Sequence, residues 1–277
     1  MLEQRRWMQL GMLIMAGILL LWGGAAYAED EFPLRAKHPS IAPITTEELA
    51  AAFDQAIVVD SRESVEFKVI HMKGSHNFLV AKMQESDLTG VRPKDGAAPL
   101  VFYCNGHTCE KSYDAAEKAV KWGFANVKVY DAGIFVWAKA QPEKTLIFDQ
   151  PQAAETITTS LISKEKLAEK MLTPEEFIAK AKDANYTVFD IRGTNERKEV
   201  PIKLAKLKAM PMDTMVKLLE EKSSAVPTKG LLVLDIVGKQ VSWLQYYLEK
   251  QGVTDYYFLK GGAAQWKKDG FSETGEK

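Results

Sequence analysis

The chain has 277 residues, 36 of them basic and 37 acidic, for a formal net charge of −1, and 46% of it is hydrophobic. The charge balance leaves no basic stripe to neutralise a phosphate backbone, which argues against nucleic acid as a partner. Two cysteines are too few for a disulfide framework, so the core has to be held by burial of apolar side chains.

In chain order, the first feature is a leader. Arg5 and Arg6 precede an uncharged, mostly apolar run from Met8 to Trp22, then Ala26, Tyr27 and Ala28 in an A-x-A pattern before Glu29 and Asp30. This layout predicts a secretory signal peptide over 1–28 and an exported protein, periplasmic or extracellular. The alternative is an uncleaved anchor over residues 8–28, the one circumstance in which a membrane would be a partner; the apolar core is short for a span of about 20 residues.

Next comes a helix opened by Thr45 and Glu48, a T-x-x-E capping box, reaching about Phe53. A strand ends at Asp60, followed by Arg62 and Glu66 in D-x-R-x-x-x-E spacing. The apolar run from Pro99 leads to Tyr103 and to both cysteines, Cys104 and Cys109, in the stretch YCNGHTCEKS. A helical pattern to Trp122, a short strand Val127 to Tyr130, Gly133 and a helix bearing Trp137 complete the pattern.

The series then returns. Thr173 and Glu176 open a second capped helix; Asp190, Arg192 and Glu196 repeat the D-x-R-x-x-x-E spacing 130 positions after Asp60; Gly262 and Trp266 repeat Gly133 and Trp137. Three matches in the same order indicate duplication. Strands alternating with helices predict α/β units, each built on a parallel sheet. The expected organisation is a unit over 40–145, a connector over 146–169 that is helical near Ser163 to Lys170, and a unit over 170–277.

Cys104 falls at the carboxyl end of a buried strand, where open α/β sheets place their sites. Asn105 and Gly106 suit a sharp turn. Amides of a loop curled around the sulfur, with the positive end of the following helix, would favour a thiolate and would equally cradle a persulfide anion. The candidate loop is Asn105, Gly106, His107, Thr108, Cys109, Glu110 and Lys111, with Asp60 and Arg62 bracing the strand end beneath it. Cys109 is either a resolving thiol or a small loop residue facing the core. Four histidines without C-x-x-C or H-E-x-x-H spacing give no zinc pattern. A phosphatase loop of C-x₅-R type is disfavoured, because the sixth residue after Cys104 is Glu110, which would repel a phosphoryl group.

These motifs together resemble a tandem rhodanese-family sulfurtransferase. The resemblance rests on the Asp60–Arg62 strand end, the run IHMKGSHN from Ile70 to Asn77, the cysteine loop after Tyr103, and the closing Gly133 and Trp137. It implies two rhodanese-like domains, each a parallel five-stranded-type sheet with helices on both faces. It also implies sulfur transfer through a Cys104 persulfide from a donor such as thiosulfate, a polysulfide or a persulfide to cyanide, a thiol or a protein acceptor, with no cofactor and no metal. Two departures stand out. The loop after Cys104 is about two residues longer than the family's usual one. In the second unit Asp235 stands where the cysteine belongs, so that unit is expected to be silent. Two other functions compete: thiol–disulfide redox chemistry by Cys104 and Cys109, and a non-enzymatic binding module.

Overall fold

The computed structural model describes residues 32–277, and the expected signal segment lies outside them. The chain divides into two compact units, one ending at Ile157 and the other running Thr158–Lys277. Among the described residues no helix is long and apolar enough to cross a membrane.

In the first unit the elements are β1 (Ala42–Pro43), α1 (Thr46–Ala52), β2 (Ile57–Asp60), α2 (Ser64–Val69), β3 (Ile70–Met72), β4 (His76–Asn77), α3 (Glu85–Thr89), β5 (Leu100–Tyr103), α4 (Lys111–Lys121), β6 (Val127–Tyr130), α5 (Ile134–Ala140), β7 (Thr145–Ile147) and β8 (Gln150–Pro151). Helix α6 (Ile157–Ser160) lies at the boundary. In the second unit they are α7 (Lys164–Ala168), β9 (Met171–Leu172), α8 (Pro174–Ala181), β10 (Thr187–Asp190), α9 (Thr194–Glu199), β11 (Leu207–Ala209), α10 (Met212–Glu220), β12 (Lys229–Leu234), α11 (Gln240–Lys250), β13 (Asp255–Leu259) and α12 (Gly262–Lys268).

Each unit is an α/β domain on a five-stranded parallel sheet. The strand order is β1-β6-β5-β2-β4 in the first and β9-β13-β12-β10-β11 in the second. Strand for strand these are the same topology, so the repeat read from the motifs is a repeat of the fold. The registers agree: Asp60 lies opposite Tyr103 and Asp190 opposite Leu234. Cys104 and Asp235, the next residues, are therefore equivalent positions. Two backbone bonds fix the equivalence, from the Ile134 amide to the Cys104 carbonyl at 3.0 Å and from the Ala263 amide to the Asp235 carbonyl at 2.9 Å.

Local chemistry explains the elements. Both capping boxes form: the Thr45 hydroxyl accepts from the Glu48 amide and the Thr173 hydroxyl from the Glu176 amide, while each glutamate returns a bond to its threonine amide. Such caps are worth about 1 kcal/mol each. All four residues of β5 are buried, as a strand covered on both faces requires. Trp137 and Trp266 are fully buried, and Trp137 stacks on Phe53 with ring centroids 4.9 Å apart.

The stretch 146–169 holds more structure than one helix. Helix α7 is capped by Ser163, within the expected range, but β7 and β8 form a hairpin that adds β7 to β3, giving a small antiparallel sheet beside the parallel one.

Candidate active site

The structure gathers the sequence-selected residues at the carboxyl end of β5. Cys104 is buried, Cys109 is half-buried, and their sulfurs are joined as a disulfide with Cα atoms 6.4 Å apart. The turn that returns Cys109 to Cys104 is closed by the Cys109 amide, which donates to the Gly106 carbonyl at 2.9 Å. The first turn of α4 lies against the sulfur, with the Ser112 hydroxyl 3.6 Å from Cys104 Sγ. Ser112 is buried and was not among the expected site residues; its place one position beyond the expected loop gave no signal.

Beneath the loop is a network built from D-x-R-x-x-x-E. Arg62 and Asp60 are completely buried, and the guanidinium grips the carboxylate in a fork, Nε to Oδ1 at 2.9 Å and Nη2 to Oδ2 at 2.6 Å. Burial alone would lower the Arg62 pKa, but the charge and hydrogen bonds of Asp60 outweigh it and raise the net value. Arg62 also donates to the Ile70 carbonyl and, through Nη1, to Asn105 Oδ1 at 3.2 Å. Asn105 Nδ2 in turn donates to Glu66 Oε1 at 2.8 Å, and Lys111 Nζ lies 3.4 Å from Glu66 Oε2. Both ends of the loop are thus tied to Glu66, and Asn105 also to the buried ion pair. Lys111 is committed to Glu66.

The outer side of the loop meets a segment that sequence reasoning did not place there. Phe32 packs on the His107 ring with centroids 4.4 Å apart, and Lys37 Nζ pairs with Glu110 Oε1 at 3.0 Å. Hydrogen bonding to Lys37, helped by its charge, holds the Glu110 carboxyl below the usual carboxylate range. Arg35 anchors the segment to buried Asp131, which also accepts from the Tyr113 hydroxyl at 2.7 Å. No local pattern marks these contacts, because the partners lie far apart in the chain. Thr108 is exposed.

Gly133 sets the height of the loop. Its φ is +80°, and a Cβ there would stand closer than 3.0 Å to the backbone of Asn105 and Gly106. Gly133→Ala is therefore expected to lift the loop, with a backbone penalty of about 1–3 kcal/mol. The check is the urea midpoint together with the alkylation rate of reduced Cys104. An unchanged rate would mean that the loop geometry does not govern the thiol.

The amide nest expected around the cysteine is seen in the second unit. There the Gly238 amide donates to Asp235 Oδ1 at 2.5 Å, the Gln240 amide to Oδ2 at 2.6 Å and the Val241 amide to Oδ2 at 3.3 Å. A loop of four residues, 236–239, curls around its own carboxylate, whereas six residues, 105–110, separate Cys104 from α4. The Asp190–Arg192 fork repeats at 2.8 and 2.7 Å, but Arg192 Nη1 ends on the Val200 carbonyl. Burial raises the Asp235 carboxyl above its ordinary value, against the pull of the three amides. The folded site thus favours the protonated form, and this contribution is complete below the ordinary value of about 4 and fades as pH climbs through the raised one. Asp235→Asn cannot ionise, so its stability relative to the native protein should improve as pH rises from about 4 through the raised value. A difference in urea midpoint that stays flat over that range would contradict the raised value.

Comparison with known proteins agrees with this geometry. Residues 45–140 match the model of the rhodanese-like domain, so the first unit is similar to that family. No curated protein matches the chain. Solved structures that resemble it include a thiosulfate sulfurtransferase of Pseudomonas aeruginosa, at 18% identity and TM-score 0.40, over 86% of this chain and 44% of that one. A Bacillus halodurans protein matches at 24% identity and TM-score 0.35, over 42% of this chain and 83% of that one. A human single-domain sulfurtransferase matches at 18% identity and TM-score 0.31, over 36% and 96%. Among the described residues no group of three or more His, Cys, Asp or Glu side chains could hold a metal ion.

Proposed function

We propose that this protein is a sulfurtransferase whose first unit carries sulfane sulfur on Cys104. The observation that carries the reading is the place of Cys104 at the end of β5. Its loop is tied to the buried Asp60–Arg62 pair through Asn105, and the Ser112 hydroxyl lies 3.6 Å from its sulfur. The equivalent side chain in the second unit accepts three backbone amides, so N–H groups can converge at this end of the sheet.

In the reduced protein the Cys104 thiolate attacks the outer sulfur of thiosulfate, a polysulfide or a persulfide. Sulfite or a thiolate leaves, and Cys104 holds the persulfide. Cyanide, a thiol or a protein thiol then attacks the outer sulfur and regenerates the thiolate. Covalent carriage of this kind gives ping-pong kinetics. The protein is exported on the signal in residues 1–28, and the second unit, with Asp235, serves as a structural partner.

The test is thiocyanate formation from thiosulfate and cyanide by Cys109→Ser protein, reduced beforehand and freed of reductant, because a dithiol would itself take the sulfur. Parallel double-reciprocal lines are expected; intersecting lines would indicate a ternary complex and no sulfur carrier. A second reading, thiol–disulfide exchange, is favoured by one observation, the bond between Cys104 and Cys109. It predicts that the oxidised protein passes its disulfide to a reduced dithiol substrate in the absence of any sulfane donor.

A further inference from the structure

Cys109 touches Cys104 at one atom in particular. The bond in the structure joins the two Sγ atoms, with Cα atoms 6.4 Å apart, inside the usual range for a disulfide of about 4.4–6.8 Å. When Cys104 carries a persulfide, its Sγ is the inner sulfur. The loop therefore delivers Cys109 to the inner sulfur, whereas a relay that passed sulfur along the loop would need it at the outer one.

The loop is built for this return. It has six residues where its twin in the second unit has four, and the Gly106–Cys109 turn folds the extra length back onto the strand end. Exposure is divided between the two thiols: Cys104 is 1% exposed and Cys109 is half-buried. An external thiol reaches Cys109 first.

We propose that the protein discharges its Cys104 persulfide as hydrogen sulfide, with Cys109 as the resolving nucleophile. The inference rests on the sulfur-transfer reading above. The Cys109 thiolate attacks Sγ of Cys104; the bond between Sγ and the outer sulfur breaks, and the outer sulfur leaves with the electron pair as HS⁻. A Cys104–Cys109 disulfide remains. The sulfane sulfur has gained two electrons, and the two cysteine sulfurs have lost one each. An external dithiol then attacks Cys109 Sγ, displaces the Cys104 thiolate and is itself oxidised to a disulfide. With thiosulfate as donor the cycle converts thiosulfate and a dithiol into sulfite, hydrogen sulfide and a disulfide. The substrate class is thus a sulfane-sulfur anion together with a dithiol reductant.

The experiment is a single turnover. Wild-type protein and Cys109→Ser are reduced, freed of reductant under anaerobic conditions and mixed with one equivalent of thiosulfate. Sulfide is followed with a selective electrode, and intact mass is read at the same times. Wild type is expected to release about one sulfide per chain and to finish about 2 Da lighter than the reduced form. Cys109→Ser is expected to gain about 32 Da and to hold it, releasing sulfide at least roughly tenfold more slowly until a dithiol is added. Cys109→Ala serves as the control for effects of the serine hydroxyl. Equal sulfide release by wild type and both variants, or a wild-type persulfide as long-lived as theirs, overturns the resolving role while leaving Cys104 as the carrier. Failure of wild type and both variants to react with thiosulfate, polysulfide or a low-molecular-weight persulfide overturns the carrier reading and this inference with it.

Discussion

Cys104→Ser is expected to reduce thiocyanate formation from thiosulfate and cyanide to the uncatalysed background, a loss of at least roughly a thousandfold. The substitution changes one atom in a buried position. Serine fills nearly the same space, and the Ser112 hydroxyl still faces the new oxygen. The loop should keep its ties, because Asn105, Lys111 and the Arg62–Asp60 pair are untouched. What is lost is the nucleophile: a serine hydroxyl is not ionised near neutrality, and oxygen cannot carry a sulfane sulfur. Cys109 is the only other cysteine in the sequence. It stands farther along the loop and is half-buried. A variant retaining a tenth or more of the activity would show that Cys109 is the carrier and Cys104 its partner.

Arg62→Met is expected to destabilise the first unit by about 3–5 kcal/mol, because it strands the completely buried Asp60 carboxylate. A domain of ordinary stability holds about 5–15 kcal/mol, so the loss is a large fraction of the whole. The Ile70 carbonyl and Asn105 Oδ1 lose donors in the same step. The second unit supplies an internal control. Arg192→Met strands Asp190 in the same way, but Arg192 has no bond to the loop that follows β12, as its remaining bonds reach the Val200 and Glu196 carbonyls. Both variants should lower a urea midpoint; only Arg62→Met should also slow the alkylation of reduced Cys104. Equal alkylation rates in the two would mean that the Asn105 tie does not position the loop.

Sequence reasoning reached the parts of this structure that leave a local chemical pattern. Thr45 with Glu48, and Thr173 with Glu176, announce helix starts because a cap is a contact three residues long. The D-x-R fork is equally local: Asp60 and Arg62 are two residues apart, and the repeat at Asp190 and Arg192 disclosed the duplicated fold. The β7–β8 hairpin left no such mark. Its turn has Phe148 and Asp149, both at positive φ, where a two-residue turn usually advertises itself with glycine or asparagine. The strands beside it are three and two residues long, too short to show alternation. At the site, Cys104 and its loop were legible from strand, turn and helix in sequence. The covering segment was not. Phe32, Arg35 and Lys37 meet His107, Asp131 and Glu110 across 73 to 96 residues, and nothing in their own neighbourhood specifies the partner. The amide nest was inferred at Cys104, yet the described bonds place it at Asp235, because the shorter loop there brings its N–H groups onto a carboxylate.

The central claim is that Cys104 carries sulfane sulfur, and the mass of the protein after exposure to a donor tests it most directly. The protein to use is reduced Cys109→Ser, in which no neighbouring thiol can discharge the adduct. After thiosulfate or polysulfide, intact mass should rise by about 32 Da, one sulfur. Peptide mapping should place the gain on the segment containing Cys104, and cyanide should remove it as thiocyanate. A protein whose Cys104 is demonstrably a free thiol, yet which gains no sulfur from any of these donors, would contradict the account.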